Sequence, residues 1–379
     1  MLGACVDRAH PDPFVDPVPD AGGSGGSGFI DAGFHDGPPD PDAAGLCGND
    51  IVPVLIDRPN LYFVLDRSGS MTEPIDSVGG SDKYTSARQA IFDVLKAIGH
   101  RVSYGATVFP AFGDGCGSGQ QVFETQPGDP ASYAQAGDVG PVLFELNKVL
   151  AQLFPEGGTP TSAALAAVRP TLLALPGKTV VVLLTDGAPN CNALAICDAA
   201  HCMLNMAGAT VGGKDCDDSF NCCDPANVPG GPLQCLDTPA SVDSLAVLAA
   251  ASIPTYVLGM PGSGPFAAAL DLMAEAGGTA LSGSQKYYRV DDTEQLADAV
   301  RQIGTGVAIS CTVDLAETPP DASLVNVYLD TSLVKQDEKN GWSWVDEDTL
   351  ELHGAACDTL KSGDVFQVQV VAGCPTFVP

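Results

Sequence analysis

The sequence has few basic residues. Its 379 residues contain 17 Lys and Arg against 47 Asp and Glu, which gives a formal net charge of −30. Nucleic-acid binding depends on basic side chains that neutralise phosphates, and anionic membrane surfaces attract the same side chains. The deficit therefore argues against nucleic acid and against a bare membrane surface as partners.

Several motifs are also absent. No apolar run reaches the roughly 18–20 residues that a transmembrane helix needs, and neither a P-loop nor a nucleophile elbow occurs. The five histidines are scattered and no cysteines show CxxC spacing, which disfavours a zinc finger or zinc ribbon. Ser68 is a conceivable nucleophile, but no His in a matching loop would act as its base. The sequence therefore predicts a protein that is not an enzyme.

Cysteine, in contrast, is abundant, with 13 residues. This number favours disulfides and an oxidising compartment. The candidate disulfide cysteines are Cys47, Cys116, Cys191, Cys197, Cys202, Cys216, Cys222, Cys223, Cys235, Cys311, Cys357 and Cys374. Seven of them lie between residues 189 and 238, so one of the seven pairs outside that segment or stays free. Cys116 and Cys47 are the candidate partners, and one bridge is expected among the last three cysteines.

The first residues suggest export. Residues 2–5, LGAC, resemble a bacterial lipobox, in which the cysteine is acylated and becomes the mature N-terminus. The charged and apolar regions that should precede a lipobox are missing, so we expect the given start to lie inside a longer signal peptide. A chance cysteine is the alternative. Cys5 is therefore the lipidation candidate, and removing it leaves an even number of cysteines for pairing.

A linker follows. Residues 6–46 are rich in Pro, Gly, Asp and Ser, include GGSGGSG at 22–28, and show no apolar periodicity. Such a composition predicts a flexible acidic linker. Behind a lipid anchor, it would hold the folded part away from the membrane, which predicts a protein of the cell envelope or outer surface.

Apolar runs at 61–65 and 179–185 are typical of buried strands in a parallel sheet. Segments with apolar residues at helical spacing, such as 81–98, separate them. The alternation continues to about residue 308. It predicts an α/β fold, a doubly wound and mostly parallel sheet flanked by helices, over residues 58–308.

The pattern changes after residue 310. Short, mostly alternating segments such as LVNVYLD, TLELHG at 349–354 and VFQVQVV are separated by turns such as Lys339-Asn340-Gly341. They predict a small antiparallel β domain over residues 310–379.

Oxygen-bearing side chains gather in three predicted loops. Asp66, Ser68 and Ser70 follow the first buried strand, Thr159 follows two glycines before a helix, and Asp186 follows the strand at 179–185. Open α/β sheets bind ligands at the carboxyl ends of their strands. Hard cations such as Mg²⁺ prefer oxygen ligands. An ordinary Ser/Asp turn would explain the first loop alone, so the distant loops decide the interpretation.

DRSGSM at 66–71, GGTPT at 157–161 and LLTDG at 183–187 occur in the order and at the separations of the von Willebrand factor type A family. The chain resembles that family over about residues 58–308. The resemblance implies a metal-ion-dependent adhesion site in which Ser68, Ser70 and Thr159 give hydroxyl ligands. Asp66 and Asp186 would hold the ion mostly through waters, and a carboxylate from the partner would complete the coordination.

The resemblance implies a divalent cation, Mg²⁺ in the first place with Mn²⁺ or Ca²⁺ as alternatives. It also implies a protein or surface ligand that offers a carboxylate, and non-enzymatic, cation-dependent binding. The alternatives are an envelope scaffold in which the metal only stabilises the fold, and a degenerate site that binds nothing. The oligomeric state is left open.

The cysteine-rich insertion at 189–238 begins directly after the Asp186 loop, so we expect it at the metal-bearing edge of the sheet. It either shapes partner specificity there or is a disulfide-stabilised decoration. The insertion also holds an acidic cluster, a second candidate for Ca²⁺, although its spacing does not match an EF-hand. The cluster comprises Asp215, Asp217, Asp218 and Asp224.

Overall fold

The chain alternates strands with helices up to residue 308 and consists mainly of short strands after it. The computed structural model describes residues 50–52, 54–55, 58–76, 80–361, 365, 367–373 and 375–376. Among these residues the strands are β1 (Asp50–Val52), β2 (Val54–Leu55), β3 (Asn60–Asp66), β4 (Ser103–Phe109), β5 (Gln120–Pro127), β6 (Thr179–Thr185), β7 (Thr210–Val211), β8 (Lys214–Asp215), β9 (Thr255–Gly259), β10 (Tyr288–Arg289), β11 (Thr312–Leu315), β12 (Val325–Leu329), β13 (Ser332–Val334), β14 (Trp342–Trp344), β15 (Thr349–Leu352) and β16 (Val368–Ala372). The α-helices are α1 (Lys83–Ile98), α2 (Ala131–Ala136), α3 (Pro141–Ala151), α4 (Thr161–Ala174), α5 (Met203–Met206), α6 (Thr238–Ala250), α7 (Ala267–Ala276), α8 (Thr293–Ala308) and α9 (Gly354–Lys361).

The largest sheet has six strands in the order β10-β9-β6-β3-β4-β5. Its neighbours are parallel except β5, which runs antiparallel to β4. Every residue of β3 and β6 is buried, as expected of central parallel strands covered on both faces. The predicted α/β class and the mostly parallel sheet are confirmed.

Helices cover both faces of this sheet because successive residues of a strand point to opposite sides. Leu61, Phe63 and Leu65 of β3 belong to one core with apolar residues of α1, α3 and α8. Tyr62 and Val64 belong to a second core with residues of α4, α6 and α7. The two cores fix β3 and β6 in the middle of the molecule, so the loops that follow these strands start from rigid positions.

The C-terminal part contains two four-stranded antiparallel sheets, ordered β1-β16-β12-β13 and β14-β15-β11-β2. Their shared core includes Trp342, which is fully buried and donates its indole Nε1–H to the Val334 carbonyl at 3.1 Å. The antiparallel strands predicted for this part are therefore present.

Two features of this part differ from the sequence prediction. β1 and β2 precede the α/β part in the chain, but they pair with β16 and β11 in the C-terminal sheets. Both strands are too short to show a periodicity in the sequence. The predicted strand through Gly354 ends at Leu352, and α9 follows it. Ala356 and Leu360, one turn apart, bury one face of that helix.

All of the described residues belong to one unit that spans Pro39–Pro379. The predicted linker, Cys5, Cys47 and Cys374 lie outside the described residues. In the part of the chain that the structure describes, no helix is both long enough and apolar enough to cross a membrane.

Candidate metal centre

The site lies where β3 and β6 end side by side. The two strands are parallel neighbours, with Leu65 opposite Leu184. The next residues, Asp66 and Thr185, are joined by a hydrogen bond from the Thr185 hydroxyl to Asp66 Oδ2 at 2.6 Å. The parallel register therefore brings the first and third predicted loops together at one edge of the sheet.

Asp66 is fully buried and organises the first loop. Its Oδ1 accepts a hydrogen bond from the Ser68 backbone N–H at 2.7 Å, which turns the chain so that the Ser68 and Ser70 hydroxyls lie 3.2 Å apart. Burial, together with the negative charge of Asp186, raises the pKa of Asp66 to about 7, although the hydrogen bonds from Thr185 and Ser68 oppose the shift. A nearby cation would favour the ionised carboxylate.

Asp186 connects the first loop to helix α1. Its Oδ1 accepts a hydrogen bond from the Ser70 hydroxyl at 2.8 Å, and its Oδ2 accepts one from Lys83 Nζ at 2.7 Å. Lys83 also donates to Glu73 Oε2 at 2.8 Å. Burial alone would lower the pKa of Lys83, but these carboxylates raise it above its usual value. Lys83 is a site residue that the sequence analysis missed.

Thr159 is brought to the same place by the second loop. The Gly69 N–H donates to the Gly157 carbonyl at 2.9 Å, which joins the first and second loops. Gly157 has φ +81°, and a Cβ there would lie 2.6 Å from the Gly115 carbonyl oxygen, so only glycine fits. A Cβ on Gly187 would lie 3.6 Å from Thr159 Oγ1 and 4.0 Å from Ser70 Oγ. The two hydroxyls therefore face the same small space.

The first residues of the insertion are hydrogen-bonded to the loop that carries Thr159. The Thr159 N–H donates to Asn190 Oδ1 at 2.8 Å, and the Asn190 N–H donates to the Thr159 carbonyl at 2.9 Å. The next residue, Cys191, forms a disulfide with Cys116. The Gly158 N–H in turn donates to the carbonyl of Gly115, beside Cys116, at 2.7 Å. The insertion therefore contacts the predicted metal-ligand loop directly, whereas the sequence had left its contact with the site open.

Arg67 connects the first loop to the loop after β4 and to the segment after α3. This buried guanidinium donates from Nε to the Pro110 carbonyl at 2.8 Å and from Nη1 to the Phe154 carbonyl at 2.6 Å. It pairs with Glu156 at 3.2 Å and lies over the Phe112 ring, with 4.5 Å from Cζ to the ring centroid. Neither Arg67 nor Asn190 was predicted as a site residue, because their partners lie far away in the sequence.

The rest of the insertion is held by three disulfides, Cys197–Cys235, Cys202–Cys223 and Cys216–Cys222. Its acidic residues do not form a shared oxygen site. Asp217 accepts hydrogen bonds from its own turn at Ser219 and Phe220, and Asp224 accepts one from Ala226 N–H. Cys197, Cys223 and Cys235 lie close enough to bind an ion, but all three are in disulfides. A fifth described bridge, Cys311–Cys357, lies in the C-terminal part.

The donor set of the sheet-edge site fits a hard divalent cation. Its oxygens are hydroxyls and carboxylates, the ligand types that Mg²⁺ takes in proteins. Adjacent ligands of an octahedral Mg²⁺ are about 3 Å apart, given Mg–O distances of about 2.1 Å. The Ser68 and Ser70 hydroxyls, which are 3.2 Å apart, are close to that spacing, and Asp186 accepts a hydrogen bond from Ser70 beside them.

No protein-family model matches the chain, and no curated protein matches it. Among solved structures, the PilB minor pilin from Streptococcus sanguinis is 15% identical, with 66% of this chain and 61% of that chain covered and a TM-score of 0.43.

Two further structures are similar to the chain. The pilus adhesin SpaC from Lactobacillus rhamnosus GG is 15% identical over 86% of this chain and 38% of that chain, with a TM-score of 0.45. The vWF domain of the type V pili tip protein Mfa5 from Porphyromonas gingivalis is 12% identical over 69% and 98%, with a TM-score of 0.40. The chain thus spans about three fifths of the pilin's length and less of the SpaC adhesin's.

Proposed function

We propose that this chain binds a protein or surface ligand through a divalent cation held by Asp66, Ser68, Ser70, Thr159 and Asp186, as in a metal-ion-dependent adhesion site of the von Willebrand factor type A family, and that it is not an enzyme. The observation that carries the proposal is the hydrogen-bonded chain from Ser68 through Ser70 to Asp186, at the end of β3 and β6. Two loops distant in sequence bring these oxygens within 3.2 Å of one another, and the Thr159 hydroxyl of the second loop faces the same small space, which supports the proposal.

In this proposal the residues have separate tasks. Ser68, Ser70 and Thr159 give neutral hydroxyl ligands, while Asp66 and Asp186 act mostly through waters. A bound cation would supply an electrophilic centre for a carboxylate oxygen of the partner. Asp66 also holds the Ser68 backbone, and Lys83 holds Asp186 in place. Few direct carboxylates favour Mg²⁺, with Mn²⁺ or Ca²⁺ as alternatives.

We also propose that the chain is exported and acts at the cell envelope, anchored through a lipid on Cys5. Five disulfides among the described residues support an oxidising compartment. The linker at 6–46 would then separate the binding site from the membrane. Intact mass of the native protein tests the anchor, because an unmodified Cys5 rules it out.

The proposed function is tested by capture from envelope extracts with Mg²⁺ or with EDTA. Wild type should retain a partner in Mg²⁺ and release it in EDTA, and Thr159→Ala or Asp66→Ala should retain none. Thr161→Ala is the matched control, since its hydroxyl makes a long hydrogen bond to the Thr159 carbonyl, at 3.5 Å, and it should capture normally.

Calorimetric titration with Mg²⁺ distinguishes this function from a scaffold. The variant Thr159→Ala should lose most of the measured cation affinity while keeping its circular dichroism spectrum. Partner retention that persists in EDTA contradicts the proposal. Cation binding that raises the melting temperature but supports no capture favours the scaffold alternative.

A further inference from the structure

Asn190 is hydrogen-bonded to the backbone of Thr159 on both sides of that residue. Its side-chain Oδ1 accepts a hydrogen bond from the Thr159 N–H at 2.8 Å, and its own N–H donates to the Thr159 carbonyl at 2.9 Å. Asn190 is 9% exposed and Thr159 is 5% exposed, so water does not readily replace either bond, and losing one is costly. We call this pair of bonds the Asn190 clamp.

The clamp leaves the Thr159 backbone little freedom. The Thr159 carbonyl also accepts a hydrogen bond from the Thr161 N–H at 2.8 Å, and the Gly158 N–H donates to the Gly115 carbonyl at 2.7 Å. A Cβ on Gly158 would lie 2.9 Å from Asn190 Oδ1, so the asparagine side chain packs directly against this loop. The peptide groups on both sides of the Thr159 Cα are therefore fixed by bonds within the protein.

A fixed oxygen ligand distinguishes divalent cations by their size. Mg²⁺ takes oxygens at about 2.0–2.1 Å in nearly ideal octahedral geometry, whereas Ca²⁺ takes them at about 2.3–2.6 Å in flexible geometry. A loop that can shift by a few tenths of an ångström accommodates either ion. A loop held from both sides accommodates one of them better, so the clamp bears on which cation the site selects.

We propose that Asn190 is a positioning residue that sets the selectivity of the candidate site for Mg²⁺ over Ca²⁺. It acts through the backbone of Thr159 and is not one of the five candidate ligands. The inference rests on the proposed function and adds a determinant of cation choice. Asn190 lies between Asp186 and the Cys116–Cys191 disulfide, so this determinant belongs to the start of the insertion.

The variant Asn190→Ala tests the role of the clamp. It removes the acceptor of the Thr159 N–H and keeps the backbone bond to the Thr159 carbonyl, so part of the cation's binding free energy must then order the loop. In calorimetric titrations the Mg²⁺ affinity should fall about tenfold. The Ca²⁺ affinity should fall only about twofold, because Ca²⁺ tolerates irregular geometry. The ratio of the two affinities should therefore fall about fivefold.

The variant Asn190→Asp is the conservative replacement. Its carboxylate oxygen can accept the same bond from the Thr159 N–H, while its added negative charge strengthens the binding of both cations. The readout is therefore the ratio of Mg²⁺ to Ca²⁺ affinity, which should stay within about twofold of wild type. A ratio that falls in Asn190→Asp as far as in Asn190→Ala would show that the acceptor is not what sets selectivity.

The variant Asn192→Ala is the matched control. Asn192 lies two residues further along the same segment, where its Nδ2 donates to Asp237 Oδ1 at 2.8 Å and its Oδ1 accepts from the Leu194 N–H at 3.0 Å. These bonds hold the insertion and not the Thr159 backbone. Both cation affinities, and hence their ratio, should match those of wild type.

Amide exchange in EDTA tests the clamp directly in the wild-type protein. The Thr159 N–H should be protected from exchange, because its bond to Asn190 is buried. The protection should be lost in Asn190→Ala and kept in Asn192→Ala. A Thr159 N–H that exchanges freely in wild type overturns the inference, even if a variant does not fold.

Two failures are distinguishable. If wild type binds no Mg²⁺, or if Thr159→Ala binds Mg²⁺ as tightly as wild type, the proposed function itself is overturned. If Thr159→Ala loses Mg²⁺ binding but Asn190→Ala changes the Mg²⁺ and Ca²⁺ affinities by the same factor, or changes neither, Asn190 does not set selectivity. The inference is then overturned while the cation site stands.

Discussion

Lys83, the first residue of helix α1, connects that helix to the candidate site. Its amino group bonds to Asp186 at 2.7 Å, and the two side chains are 2% and 1% exposed. Two buried charges are tolerable because each compensates the other, and removing one partner leaves the other unpaired in a place that water does not reach. Lys83 therefore holds Asp186 in position without a cation, and it would compete with a cation for the same carboxylate.

Replacing Lys83 by Met should separate these two effects. In EDTA, the buried Asp186 carboxylate loses its partner, and the free energy of unfolding should fall by about 3–5 kcal/mol. In Mg²⁺ the loss should be smaller and the cation affinity higher, because the cation no longer competes with an ammonium group. Denaturant unfolding with and without Mg²⁺, together with calorimetry, measures both.

Lys148→Met is the control for Lys83→Met. Lys148 pairs with Glu145 at the surface, with side chains that are 50% and 52% exposed. Such pairs contribute about 0–1 kcal/mol, so this variant should be nearly as stable as wild type in both conditions. Equal destabilisation of Lys83→Met with and without Mg²⁺ would show that Asp186 does not take part in cation binding.

At this scale, the sequence indicated some site residues and not others for a physical reason. Asp66, Ser68 and Ser70 lie in one short loop, so their spacing allows converging oxygens, although an ordinary Ser/Asp turn has the same spacing. The loops of Thr159 and Asp186 were visible in the sequence, but their roles in one metal site were predicted through the family resemblance. The parallel register of β3 and β6 brings Asp186 to Asp66. Lys83, Arg67 and Asn190 reach the site through partners such as Asp186, 103 residues from Lys83, and Thr159, 31 residues from Asn190, and single-sequence patterns do not report such contacts.

At the scale of loops and elements, the Cys116–Cys191 disulfide joins the loop after β4 to the start of the insertion. Both joined segments bond to the second loop, through Gly115 to Gly158 and through Asn190 to Thr159. The disulfide therefore closes a ring of contacts around the loop that carries Thr159.

Breaking that disulfide should loosen the site without unfolding the sheet. The double variant Cys116→Ser, Cys191→Ser should keep its circular dichroism spectrum, because β3 and β6 are held by two large apolar cores. Its Mg²⁺ affinity should fall severalfold, since part of the binding energy must then order the Thr159 loop. Calorimetric titration measures the affinity, and amide exchange of residues 157–159 measures the loosening.

The double variant Cys311→Ser, Cys357→Ser serves as its control. It removes a bridge in the C-terminal sheets, and should lower the free energy of unfolding by about 2–4 kcal/mol with unchanged Mg²⁺ affinity. An unchanged affinity in the first variant would mean that Asn190 and Gly115 hold the loop without the covalent link.

The strands and helices that could be predicted from the sequence were those with long runs of buried apolar residues. β3 and β6 are buried along their whole length, so their apolar runs identified them. Helix α9 was not predicted, because only Ala356 and Leu360 mark its buried face. β1 and β2 become strands by pairing with β16 and β11, more than 250 residues further along the chain.

At the scale of the whole molecule, the pairing of β1 with β16 and of β2 with β11 joins the two ends of the described chain. Strands from before and after the α/β part lie in the same two sheets, whose core contains Val52 beside residues of the C-terminal part. The predicted boundary at residue 310 therefore omits strands at 50–55. Near this junction, Arg101 on the α/β side is attracted by the charge of Asp330, between β12 and β13.

Beside Arg101, His100 makes the stability of the whole molecule sensitive to acid. Its Nε2 accepts a hydrogen bond from Arg101 Nε at 3.1 Å, which requires a neutral ring. Burial, with the charges of Arg101 and Arg58, lowers the pKa of His100 to about 4, below its value of about 6.5 in an unfolded chain. The unfolded state thus binds more protons between these values, and the contribution of His100 to stability, complete above about pH 6.5, is lost as pH falls through about 4.

The variant His100→Gln should remove this dependence, because a glutamine carbonyl can accept from Arg101 and does not titrate. Acidification also relieves repulsion within a chain of net charge −30, so the informative quantity is the difference in unfolding free energy between variant and wild type. That difference should shift in favour of His100→Gln as pH falls from about 6.5 to about 4. Urea unfolding at a series of pH values measures it, with the exposed His201→Gln as control. A difference that stays constant across this range would mean that His100 keeps its unfolded pKa in the folded protein.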